Sequence, residues 1–81
     1  MKDRKVAWRK IIYDEDFLDF YFRRSDLEDN EFYVRMLSRY GFGRSIITSL
    51  FMAMSDYINQ IGGFDCDDFL DLVVENPDFY H

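Results

Sequence analysis

Arg44-Ser-Ile-Ile-Thr-Ser-Leu-Phe-Met-Ala-Met-Ser-Asp-Tyr-Ile-Asn-Gln-Ile61 is the stretch that decides the fold class of this chain. Its residues Ile47, Leu50, Phe51, Met54, Tyr57, Ile58 and Ile61 recur at spacings of three or four, while Thr48, Ser55, Asp56 and Asn59 lie largely on the other side. That is the period of an amphipathic helix with one buried face. Gly62-Gly63 follows and supplies the permissive backbone that a helix C-cap uses. A helix over 44–61 would be about 27 Å long, enough for other elements to pack around it.

Outward from this helix, capping signals recur. Ser25-Asp26-Leu27-Glu28 has the Ser-x-x-Glu form of a capping box and predicts a helix from Asp26 to Tyr40, with Leu27, Val34, Leu37 and Tyr40 on one stripe. Gly41 sits where a left-handed C-cap residue is wanted, so Gly41-Phe42-Gly43 reads as a helix–helix turn. Asp14 can cap a helix over 15–24 that turns Phe17, Phe20 and Tyr21 inward. Asp65 can cap another, with Asp67 and Asp68 in its first turn and Phe69, Leu70, Val73 and Val74 as its apolar face, ending at Asn76-Pro77. Residues 1–12 read either as a helix or, over Lys10–Tyr13, as a strand; no second β-rich run exists to pair with it, which favours helix. The expected fold is an all-α, compact single-domain bundle of four or five short helices over residues 1–81, arranged around the 44–61 helix. Residues 1–12 form a basic N-terminal segment, and the tail 77–81 either packs back or stands free for docking.

Composition narrows the function classes. The chain has 81 residues, 48% of them hydrophobic and 20% aromatic, so it can bury a core. Ten basic and sixteen acidic side chains leave a net charge of −6. This disfavours direct nucleic-acid binding, which needs Lys and Arg to displace counterions from phosphates. No apolar run is long enough to span a membrane, and MKDRKVAWRK has no apolar core of a secretory signal. One cysteine, Cys66, precludes an intramolecular disulfide and fits a reducing, cytoplasmic setting.

Reaction chemistry finds little support. His81 is the only histidine and the last residue, a poor place for a general base. Cys66 lies near a helix start, but Asp65, Asp67 and Asp68 oppose thiolate formation. The Asp14–Asp16 and Asp65–Asp68 runs lack the Gly and Glu of a calcium loop, and Gly41–Arg44 lacks the Lys-Ser/Thr of a phosphate loop. No enzyme, metal site or cofactor is expected.

Charge falls in blocks. Residues 13–31 hold eight acids and two arginines, and 56–81 hold seven acids and no base. Residues 32–55 hold Arg35, Arg39 and Arg44 without an acid, and 1–12 hold five bases against Asp3. Opposite blocks can face one another across the fold as ordinary surface pairs. Alternatively, the acidic blocks form a face that docks on a basic partner, with carboxylates standing in for nucleic-acid phosphates as a special case. Consecutive Phe20, Tyr21 and Phe22 cannot share one side of a helix, so either the fold wraps both sides or a ring is exposed as an interface anchor.

The leading expectation is therefore a small acidic protein–protein interaction module, binding a partner with a basic surface through Asp16, Asp19, Tyr21, Asp67, Asp68 and Asp71. The partner expected is a nucleic-acid-handling protein that this chain inhibits. The general profile is similar to that of small inhibitors from phages and mobile elements, the anti-CRISPR type among them, and of bacterial immunity proteins; no residue is carried across from that likeness. One alternative is a homodimer formed through leftover apolar surface such as Met52. Another is a small DNA-binding regulator using residues 1–12, Arg35, Arg39 and Arg44.

Overall fold

The computed structural model of the chain describes residues 4–74. Helix α4, Arg44–Ile61, forms over the expected residues and buries Ile47, Leu50, Ala53, Met54 and Tyr57. Ile61, the last position of the expected stripe, is exposed instead. Gly62 ends the helix at φ 95°, its amide donating to the Ile58 carbonyl at 2.7 Å. Only glycine adopts that left-handed backbone without a Cβ penalty. Gly41 does the same at φ 75° for α3, Asp29–Tyr40. Between the two glycines of the α3–α4 turn, Phe42 is buried and stacks on Tyr40 with centroids 5.6 Å apart.

Two expectations about α3 are corrected. The helix starts at Asp29, not Asp26: Ser25 Oγ accepts the Leu27 amide at 3.1 Å and closes a local turn, while the Glu31 carboxylate accepts the Glu28 N–H at 3.4 Å. The acid three residues on belongs to a box that begins at Glu28. The buried stripe is Phe32 and Met36, with Val34 and Leu37 more than half exposed. Phe32 and Val34 point to opposite sides of a helix, and the larger ring goes inward because it removes more apolar area from water.

Helix α2, Glu15–Tyr21, starts as expected: Asp14 caps it, its carboxylate accepting the Phe17 amide at 3.2 Å. It ends three residues before the expected Arg24. Arg23 takes φ 60°, with the Arg23 and Arg24 amides donating back to the Phe20 and Asp19 carbonyls at 3.2 and 2.7 Å. This is a Schellman motif with arginine where glycine is usual, so no glycine announces the stop. Phe20 stacks on Phe32 at 3.9 Å, Tyr21 packs on Phe51 at 5.3 Å, and Phe22 meets Phe64 at 5.8 Å. Each of the three consecutive rings is contacted by a different part of the chain and stays half-buried, so the fold packs on both sides of α2.

Residues 4–11 are helical: α1, Arg4–Ile11, with Trp8, Ile11 and Ile12 buried. Asp65 caps α5, Cys66–Phe69, by accepting the Asp68 amide at 3.0 Å. The chain then widens into a π-helical turn, Leu70–Val74, which nothing in the sequence announces. α1 packs on that turn, and Trp8 lies 6.5 Å from Phe69. The Cα envelope measures 33 × 32 × 18 Å, about two helix layers thick. In so thin a body many rings are only half covered. The expected stop at Asn76-Pro77 and the tail 77–81 lie outside the described residues. Among those described, no helix is long and apolar enough to cross a membrane.

Candidate functional site

The two acidic blocks meet different partners. In the first, the Arg39 guanidinium spans two carboxylates, Nη1 to Asp14 at 2.8 Å and Nη2 to Asp16 at 2.7 Å, and Arg35 Nη1 approaches Asp16 at 3.3 Å. Arg35 and Arg39 are one helical turn apart on α3, so α2 and α3 pack with opposite charge along their seam. Asp14, its side chain only 8% exposed, also accepts the Tyr40 hydroxyl. Burial alone would raise its carboxyl, but the Tyr40 hydroxyl, the Phe17 amide and Arg39 outweigh it and hold the pKa below the ordinary value. Asp14 and Asp16 are thus neutralised from within the fold.

In the second block, Asp67 accepts the Tyr13 hydroxyl, and Asp68 accepts the Tyr57 hydroxyl at 2.6 Å. A hydroxyl fixes a carboxylate in place without cancelling its charge. Three neighbouring groups have raised pKa values, two of them through burial first. Tyr13 is pushed up to about 12, first by its hydrogen bond to Asp67. Tyr57 is also pushed up to about 12, by burial and then by Asp68. Burial, then Asp65 and Asp67, raise the Cys66 thiol, which donates to the Ile12 carbonyl at 3.6 Å. A thiol so placed is a weak nucleophile. Asp65, Asp67, Asp68 and Asp71 line one open concavity of about 790 Å³ with Tyr57, Phe64 and Gly62-Gly63.

The six residues chosen from sequence therefore separate. Asp67, Asp68 and Asp71 share that concavity. Asp16 is held by two arginines, Asp19 faces Arg24 at 3.7 Å, and the Tyr21 hydroxyl lies 2.6 Å from Ser55 Oγ. The residues that sequence reasoning missed are Tyr13, Tyr57 and Asp65. Tyr13 and Asp67 are 54 residues apart, and Tyr57 reads as a core residue of α4, so no local pattern could have paired either with its aspartate. The arginines assigned to DNA are also engaged, Arg35 and Arg39 by aspartates and Arg44 over the Tyr33 ring at 4.1 Å. Among the described residues no group of His, Cys, Asp or Glu is arranged to hold a metal ion. In comparison with known proteins, no family model, no curated sequence and no solved structure matches this chain, so its function is read from this geometry.

Proposed function

We propose that the chain is a small interaction protein that presents its 65–71 acidic surface to a basic surface of a partner protein. The observation that carries this reading is the way Asp67 and Asp68 are held. Uncharged hydroxyls position both carboxylates beside Asp65 and Asp71 in an open concavity and leave their charge available. Clustered like charges disfavour a compact fold, and meeting Lys or Arg on a partner relieves that repulsion. Proteins that handle nucleic acid display such basic surfaces to bind phosphates, so the partner class is a nucleic-acid-handling protein, which this chain occupies and inhibits. Asp16, Asp19 and Tyr21 act within the fold on this reading.

Capture from nuclease-treated lysate tests it, with the wild type beside Asp71→Lys and Asp16→Asn. The wild type should retain one basic protein at about 0.1 M salt and release it at about 0.5 M, where the screening length has fallen from about 10 to about 4 Å. Asp71→Lys should lose it and Asp16→Asn should keep it. Equal capture by Asp71→Lys would defeat the reading. The homodimer alternative gains no support from α4, where exposed Met52 is flanked by exposed Thr48, Ser55 and Asp56 rather than by apolar neighbours.

A further inference from the structure

A second hollow, of about 440 Å³, lies elsewhere on the surface, and its chemistry differs from that of the acidic concavity. Phe20, Tyr21, Leu27, Tyr33 and Phe51 line it, all half-buried, so each ring gives part of its surface to the core and part to the hollow. Phe20 and Phe51 are near parallel, with centroids 6.2 Å apart and planes 22° from each other. Arg23, Ser25 and Asp29 also line the hollow. The volume lies in the range of small-molecule sites, roughly 300–1,000 Å³.

Arg23 has two further features. It holds a left-handed backbone, φ 60°, at the Schellman position where glycine would be unstrained. Its guanidinium also makes no hydrogen bond or ion pair among the described residues, unlike Arg24, Arg35 and Arg39. Arg44, over the Tyr33 ring, adds a second positive charge beside the hollow. On a molecule of net charge −6, the lining carries one arginine and one aspartate, and the arginine has no carboxylate partner among the described residues.

We propose that this hollow binds a small molecule with a flat aromatic ring and a negative charge, the ring against Phe20, Phe51 and Tyr33 and the anion at Arg23. Ser25 and Asp29 supply acceptors, which favour a ring bearing an N–H. Rings stack on partly exposed aromatic faces, and an exposed arginine gives the anion its direction. The proposal uses none of the 65–71 carboxylates and stands or falls apart from the partner reading.

Titration of the ¹⁵N-labelled chain with indole-3-acetate, compared with tryptamine, tests it by amide chemical shifts. Indole-3-acetate should give saturating shifts centred on residues 20–33, and tryptamine, with the same ring and an ammonium, should bind at least about fivefold more weakly. Arg23→Gln should weaken indole-3-acetate by about fivefold with the helical signal unchanged. Arg23→Gly should weaken it equally while relaxing the backbone, so that lost affinity cannot be attributed to unfolding. Equal affinity for the two probes, undiminished binding by Arg23→Gln, or no saturation by about 10 mM would overturn the assignment.

Discussion

Asp14 and Asp16 meet arginines, and Asp14 a tyrosine as well; Asp67 and Asp68 meet tyrosines without an arginine. The first pair lies in the seam between two helices, where each charge has a counter-charge and one carboxylate also caps α2. The second lies in an open concavity, held by hydroxyls that carry no charge. Equal acidity in the sequence thus meets two kinds of partner. Carboxylates in the seam are paired with guanidinium groups, whereas Asp67 and Asp68 at α5 have no counter-charge among the described residues. Substitutions can therefore separate the two regions by the sign of their effect as well as its size.

The largest expected effect is at Asp14. Replacing it with alanine removes the cap of α2, the acceptor of the Tyr40 hydroxyl and a partner of Arg39. The cost should be about 2–3 kcal/mol in urea unfolding, a large share of the roughly 4–12 kcal/mol expected for a chain of this size. A cost no greater than that of an ordinary surface substitution would break the comparison on the seam side. Tyr57→Phe comes next. It deletes the hydrogen bond to Asp68 while keeping the ring that packs at 5.5 Å on Phe69, and should cost about 1–1.5 kcal/mol.

Titration tests the carboxylate contacts of both regions, Asp14 and Tyr40 in the seam and Tyr13 and Tyr57 at α5. The Asp14 pKa is lowered in the fold, so its contribution is whole above the unfolded value near 4 and is lost as pH falls through the lower folded value. Asp14→Asn should therefore flatten the acid limb of the stability curve. The pKa values of Tyr13, Tyr40 and Tyr57 are pushed up to about 12, above the unfolded value of 10. Their contribution is whole below pH 10 and is lost as pH rises toward 12. Absorbance at about 295 nm should show these three ionising after the free phenol value near 10. Tyrosines that all titrate near 10 would remove the carboxylate contacts from the account.

Much of this was legible in the sequence because it is local. The period of 44–61, the caps at Asp14 and Asp65, and Gly41 and Gly62 depend on neighbours within one or two helical turns. The signs of the charge blocks left two readings open, opposite blocks facing each other or an acidic docking face, and Asp14, Asp16, Arg35 and Arg39 meet as in the first. What was hidden depends on tertiary competition. Val34 and Leu37 have the right spacing, yet Phe32 and Met36 fill the core because α3 is rotated to bring its ring onto Phe17 and Phe20. Arg23 ends α2 in a conformation that residue identity disguises, and the π-turn at 70–74 has no composition of its own. The split among the six candidate residues follows from the same cause, since Tyr13 and Tyr57 reach Asp67 and Asp68 only through the fold.

The smallest effects give the most direct test: unfolding free energies of Asp16→Asn and Asp71→Asn, measured side by side at about 0.05 and 1 M salt. Asp16→Asn should destabilise by a few tenths to about 1 kcal/mol at low salt, because it removes a partner of Arg35 and Arg39. Asp71→Asn should stabilise by about 0.2–0.5 kcal/mol, because it relieves repulsion from Asp67 and Asp68. Both differences should shrink at high salt. Opposite signs at low salt are the predicted result; destabilisation by both substitutions would contradict the division of the acidic surface into a structural and a presented half.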